Sequence, residues 1–162
     1  MTTINDEIDV FIEISKNSNI KYEYDDKNGR LICDRILQTP FKYDFNYGFI
    51  PDTISPDGDP LDVVVWMADE LVPGCYIKCK ILGALETEDE HGIDPKLIVC
   101  PCSKVDPQYN EINDIHDLHS TLLLKITYFF QHYKDLENKK VIIGKWLNKN
   151  EALLLYENSI NN

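Results

Sequence analysis

The chain has 162 residues, 43% of them apolar, and carries 28 acidic against 16 basic side chains, a formal net charge of -12 at pH 7. That length suffices for one domain with its own hydrophobic core, and the excess of acid excludes a protein that gains affinity by neutralising nucleic-acid phosphates. No apolar run reaches the roughly 20 residues that cross a bilayer, and the start Met1–Glu7 is polar and acidic, so the chain reads as soluble and cytoplasmic, without a membrane partner.

Residues Asp9 to Ser15 alternate, with Val10, Ile12 and Ile14 on one face and Phe11 and Glu13 on the other, which is the period of a strand. Ile20–Tyr24 and Leu31–Ile36 are two short β-like runs joined through Asn28-Gly29, a strong turn signal, and predict a hairpin that carries Lys21, Glu23 and Arg35. From Leu37 to Pro60 the chain is rich in aromatics, Gly and Pro without a helical period. It reads as a structured functional loop with short extended pieces. Asp62–Met67 and Tyr76–Leu85 read as strands, followed by an acidic turn from Glu86 to Asp94 and a further strand, Lys96–Pro101. In a compact barrel that turn is expected to face the acids at 57–62.

Leu118, Leu122, Ile126, Phe129, Phe130 and Tyr133 recur at helical spacing and predict an amphipathic helix within 116–136. Val141–Trp146 reads as a last strand. Asn148 with Glu151 three residues later is a capping box opening a terminal helix, whose Asn-rich end is expected to fray. This order predicts a single domain over residues 1–162, mainly β, built as a small barrel with helices packed outside. The cysteines Cys33, Cys75, Cys79, Cys100 and Cys102 form no CxxC pair and have no histidine at zinc-finger spacing. They are expected to be reduced and mostly buried.

The chemistry concentrates in Asp57-Gly58-Asp59-Pro60-Leu61-Asp62. Carboxylates this close repel one another unless a hard cation sits among them, which points to Mg²⁺ or Ca²⁺. Calcium-loop spacing fails, since the sixth position from Asp57 is Asp62 and the twelfth is Ala68 rather than Gly and Glu. A solvated acidic turn leading into a strand is the plain alternative. Lys21, Arg35, Lys96, Lys134, Tyr43, Tyr47 and Tyr133 supply the fixed cations and phenols that a compact polyanion requires. No GxxxxGK[ST] loop supports nucleotide chemistry, and no GxSxG or Cys/His pairing supports nucleophilic catalysis.

Asp57-Gly58-Asp59-Pro60-Leu61-Asp62-Val63 satisfies every position of D-[SGDN]-D-[PE]-[LIVMF]-D-[LIVMGAC]. Around it stand Ile20-Lys21-Tyr22-Glu23, Asp34-Arg35, Tyr43 with Asn46-Tyr47-Gly48, Asp89-Glu90 with Asp94 and Lys96, and His132-Tyr133-Lys134-Asp135-Leu136. From Val10 to Leu155 the chain resembles the family I soluble inorganic pyrophosphatases of the bacterial type, with a segment between Glu13 and Lys21 one residue shorter than usual.

The resemblance implies a closed five-stranded, OB-like barrel with two outer helices, and Mg²⁺-dependent hydrolysis of pyrophosphate to two orthophosphates. It makes Asp57, Asp62 and Asp94 ligands of a tightly bound Mg²⁺, with Asp89 and Asp94 holding a metal that arrives with substrate and Glu23 a further one through water. Mn²⁺ and Zn²⁺ are the possible substitutes. Asp59 becomes the general base and Tyr47 orients it, while Lys21, Arg35, Lys96, Tyr133 and Lys134 hold the phosphoryl groups, with Tyr43 beside them and Glu13 lining the cavity. The resemblance also implies a homohexamer, a dimer of trimers, with the helix over 118–133 as a contact surface. The alternatives are a metal-dependent phosphohydrolase for another small phosphate compound and a non-catalytic cation-binding barrel.

Overall fold

In the computed structural model, residues 7–160 are described. In chain order the elements are β1 (Glu7–Ile14), β2 (Ile20–Asp25), β3 (Arg30–Ile36), β4 (Asn46–Ile50), β5 (Leu61–Val65), β6 (Tyr76–Asp89), β7 (Gly92–Ile93), β8 (Lys96–Pro101), α1 (Ser120–His132), β9 (Ile142–Leu147) and α2 (Lys149–Ile160). Five strands close on themselves in the order β1-β4-β5-β8-β6, with β6 pairing back onto β1. β5 and β8 are parallel and the other barrel pairings antiparallel. The result is the closed, mixed five-stranded barrel with two helices that the resemblance implied.

Alternation decides which side chains fill it. Val10, Ile12 and Ile14 are buried, as the two-residue period predicts, and join Val63, Val65, Ile81 and Leu97 in one core. Phe11, on the opposite face, is also buried, because Tyr24 and Phe49 stack over it. β5 and β8 are covered on both faces, as a parallel pair requires, and almost every residue in them is buried. Gly48 marks the tightest crossing in the barrel. A Cβ there would lie 1.8 Å from the carbonyl oxygen of Phe11, so only glycine lets β4 approach β1 this closely.

The predicted hairpin forms a separate two-stranded sheet, β2–β3, turning at Gly29 with φ +64°. The segment 37–60 holds one real strand, β4. The acidic stretch after Leu85 departs from expectation, because β6 continues to Asp89 and folds back at once on β7. Thr87 is buried while Glu88 faces solvent, so the acids occupy the wet positions of a strand rather than a turn. β9 then pairs with this far half of β6.

The helix α1 is shorter than the periodic stretch. His119 Nδ1 caps it by accepting from the Thr121 amide at 3.0 Å, and Leu118 lies ahead of it, after a 3-10 turn at Ile115–Asp117. At α2 the capping box is present in both directions. The Asn148 amide donates to Glu151 Oε1 at 3.1 Å and the Glu151 amide to Asn148 Oδ1 at 2.9 Å.

Cys79, Cys100 and Cys102 are buried, Cys75 is half-buried, and Cys33 is exposed. The readings made for Met1–Asp6 and for the last two asparagines lie outside the described residues. Among the described residues no helix is long and apolar enough to cross a membrane.

Candidate active site

Strand register builds the centre. Asp62 on β5 stands opposite Lys96 on the parallel strand β8, and Tyr47 on β4 presents its phenol on the same face of the barrel. The Lys96 ammonium is buried and donates each of its three hydrogens: to Asp94 Oδ2 at 2.6 Å, to Asp62 Oδ2 at 2.7 Å and to Tyr47 Oη at 2.8 Å. Burial alone would lower its pKa, but Asp62, Tyr47 and Asp94 beside it override that and keep it protonated. Burial pushes the Asp94 carboxyl above the usual carboxylate range, and it pushes the Tyr47 and Tyr43 phenols up as well. Asp94 is anchored by its own backbone, whose amide donates to the Thr87 carbonyl at 2.8 Å.

The signature stretch is a loop tied by its own hydrogen bonds. Thr53 Oγ1 accepts from the Leu61 amide at 2.9 Å, the Ser55 amide donates to the Asp59 carbonyl at 2.7 Å, and the Asp59 amide donates to Asp57 Oδ1 at 3.0 Å. Gly58 takes φ +91°, a conformation that side chains with a Cβ rarely adopt. Burial raises the Asp57 pKa, and the Asp59 and Asp62 charges add to the effect. Asp59 is exposed. Among the described residues its carboxylate has no hydrogen bond or ion pair.

The hairpin supplies cations from the other side. Lys21 Nζ lies 3.1 Å from Asp34 Oδ2 and 3.7 Å from Glu23, and Arg35 Nη1 is 3.0 Å from the same Asp34 oxygen. Arg35 Nε faces Glu137 Oε1 at 3.0 Å, while its Nη2 is buried with no partner among the described residues. Lys134 Nζ, beyond α1, sits 3.5 Å from Asp89 and 3.7 Å from Glu90.

Every candidate residue named from the sequence lines one cavity of about 1020 Å³: Glu13, Lys21, Glu23, Arg35, Tyr43, Tyr47, Asp57, Asp59, Asp62, Asp89, Asp94, Lys96, Tyr133 and Lys134. The two acidic segments do face each other across it. The sequence reading quoted Asp34 beside Arg35 without giving it a role and did not name Glu137; the two form ion pairs with Lys21 and Arg35. Asp34 had a signal in its position beside Arg35 on a strand paired with Lys21, whereas Glu137, in a 3-10 turn (Asp135–Glu137), had none.

The inorganic pyrophosphatase family model matches residues 10–162. The chain belongs to the inorganic pyrophosphatase family. An inorganic pyrophosphatase of Nanoarchaeum equitans is 52% identical over 147 residues, covering 90% of this chain and 91% of that one. The inorganic pyrophosphatase of Rickettsia typhi is 49% identical over 150 residues, covering 91% and 84%. Among solved structures, the inorganic pyrophosphatase of Helicobacter pylori superposes with a TM-score of 0.94 at 43% identity, covering 99% of this chain and 96% of that chain.

The inorganic pyrophosphatases are metal-dependent, and the cavity suits a hard divalent cation. Its donors are carboxylate oxygens, and Asp94 Oδ1 is buried with no partner among the described residues. Among those residues no three His, Cys, Asp or Glu side chains converge on a single point, and the Lys96 ammonium stands between Asp62 and Asp94.

In this pyrophosphatase Glu13 carries a charge-burial cost that can be measured. Its carboxylate accepts from the Tyr24 amide at 2.8 Å, but burial pushes its pKa up to about 7 from 4.5. The folded protein therefore keeps this proton at pH values where the unfolded chain has lost it. Stability falls as pH rises from 4.5 to 7 and is flat above. Glu13→Gln retains the acceptor and removes the titration. In EDTA at pH 8 the variant is expected to be more stable than the parent by about 3 kcal/mol, with no difference at pH 4, by urea denaturation. Equal pH profiles would refute the assignment.

Proposed function

We propose that this protein hydrolyses inorganic pyrophosphate to two orthophosphates with Mg²⁺. The observation that carries the reading is the meeting, in one cavity, of the acids Asp57, Asp59, Asp62 and Asp94 with the fixed cations Lys21, Arg35 and Lys134. Asp57, Asp62 and Asp94 would hold one Mg²⁺, Asp89 and Asp94 a second, and Glu23 a further one through water. The all-oxygen donor set favours Mg²⁺ or Mn²⁺ over Zn²⁺, which prefers nitrogen and sulfur. A divalent cation bound there lowers the pKa of water and offsets phosphate charge.

The chain's own groups do the rest. Asp59, unpartnered and open to the cavity, accepts the proton of the attacking water. The Tyr47 hydroxyl, already accepting from Lys96, has its O–H left to donate and so orients that carboxylate's surroundings. Arg35 offers the free Nη2, and Lys21, Lys134, Tyr43 and Tyr133 complete the cage around the two phosphoryl groups, one of which departs as the leaving phosphate. Lys96, expected among the phosphoryl-holding cations, has its three hydrogens on Asp62, Asp94 and Tyr47 and serves first as counter-charge to the buried Asp94 and the half-buried Asp62.

The deciding assay is phosphate release from pyrophosphate with Mg²⁺, with EDTA, and with ATP as a competing substrate. Release with Mg²⁺ alone and little from ATP is expected. Equal release from ATP would favour a broader phosphohydrolase, and none from either a cation-binding barrel.

The same reading takes residues 1–162 as one cytoplasmic domain that assembles as a homohexamer. On α1, Leu124 and Tyr128 expose 68% and 58% of their surface beside Phe41, an apolar face fit for a subunit contact. A monomer in sedimentation would contradict the assembly.

A further inference from the structure

The cavity is far larger than two phosphoryl groups require. At about 1020 Å³ it lies at the upper end of pockets that hold whole drug-sized ligands. The surplus space is lined by aromatic rings, and strand register places them with the acids. Tyr76 on β6 stands opposite Phe11 on β1, Phe11 opposite Phe49 on β4, Phe49 opposite Asp62 on β5, and Asp62 opposite Lys96 on β8.

Directly opposed residues share one face of a sheet, so these positions lie on the outer surface of the barrel, and the common cavity rather than the row itself brings rings and charges together. Tyr24 closes over that row from the hairpin, its ring 4.9 Å from Phe11 and 6.2 Å from Phe49, and the Tyr76 ring meets Phe11 edge-on at 5.3 Å. Tyr24, Phe49 and Tyr76 all line the cavity, and Tyr76 is 63% exposed. An exposed tyrosine among packed rings, in a cavity that also carries many charged side chains, is an open platform for a planar group.

From the pyrophosphate reading of the charged end and this ring platform, we infer that the cavity has a second compartment, which takes the base of a nucleoside diphosphate whose two phosphates occupy the charged end. Asp62 and Tyr76 line the same cavity, whose volume of about 1020 Å³ accommodates such a molecule. The base stacks at Tyr76, Tyr24 and Phe49, and the ribose bridges to Asp62 and the cations. The ligand binds as a competitor of pyrophosphate, because the two share the phosphate-holding groups. The platform has no hydrogen-bonding pattern built into it, so it accepts purines and pyrimidines alike, with the larger ring favoured.

The probes are ADP and methyl diphosphate, which carry the same diphosphate charge with and without a base. Both are tested with Mg²⁺ as inhibitors of pyrophosphate hydrolysis. ADP is expected to bind about tenfold more tightly. Tyr76→Ala should abolish most of that advantage and Tyr76→Phe should keep it, while neither changes the KM for pyrophosphate or the inhibition by methyl diphosphate. Equal inhibition by the two probes, or an ADP advantage untouched by Tyr76→Ala, overturns the second compartment. If pyrophosphate itself is not hydrolysed, the functional reading fails separately. Equilibrium dialysis of labelled ADP against parent and Tyr76→Ala then decides the compartment alone.

Discussion

Asp59→Asn is expected to lower turnover by about 10²-fold or more at saturating Mg²⁺ while leaving metal binding largely intact. The asparagine keeps the size of the side chain and the loop's backbone bonds, since Asp59 contributes only its amide and carbonyl to them. Its carboxylate is exposed to the cavity and bears no structural partner among the described residues, so its loss removes the proposed proton acceptor and nothing that holds the fold. Stability should therefore be nearly unchanged. Asp62→Asn contrasts with it, because Asp62 receives a hydrogen bond from Lys96 and its loss acts on the metal requirement. Titration calorimetry with Mg²⁺ and steady-state kinetics separate the two. If Asp59→Asn abolished Mg²⁺ binding while turnover at saturating metal stayed normal, the roles would have to be exchanged.

Lys96→Met should produce the largest loss of stability among single changes in the cavity. The ammonium is almost fully buried and satisfies Asp62, Asp94 and Tyr47 at once. A methionine fills similar volume but leaves the buried Asp94 and the half-buried Asp62 without their counter-charge, and removing one member of a buried charge set costs about 3 kcal/mol. In EDTA the urea midpoint should fall accordingly. Mg²⁺ should restore more stability to the variant than it adds to the parent, because a cation can then relieve a repulsion that Lys96 already relieves in the parent. An unchanged midpoint in EDTA would mean that Lys96 is not the counter-charge of these acids.

Much of the barrel was legible because β1 and β5 alternate or run apolar in ways that only a covered strand satisfies. The Val10-Ile12-Ile14 face went inside, and Glu13, on the other face, went to the cavity. The β6–β7 turn was misread because acids at Glu86, Glu88 and Asp89 look like loop composition, and only the pairing partners reveal that Leu85 and Thr87 point inward. The lining of the cavity was legible as residue types: crowded aspartates need a counter-charge, and the resemblance named the other side chains that line it. That Lys96 would serve as one such counter-charge was hidden, since it depends on the parallel register of β5 and β8, strands far apart in the chain. Asp34 and Glu137 escaped for a similar reason. They act on other side chains, and their partners are defined by three-dimensional contact.

β6 is the longest strand, and it belongs to two assemblies at once. Its first half closes the barrel against β1, its middle pairs with β8, and its far half carries β7 and β9 together with Asp89. The acidic wall of the cavity is thus a continuation of the barrel's own closing strand rather than a loop set upon it. Its residues 87–89 pair only with β9 and the two-residue β7, so local opening of the wall breaks those pairings and leaves the ladder that seals the barrel intact. The hairpin β2–β3, which carries Lys21 and Arg35, is a separate two-stranded sheet and likewise lies outside the ladder of the barrel.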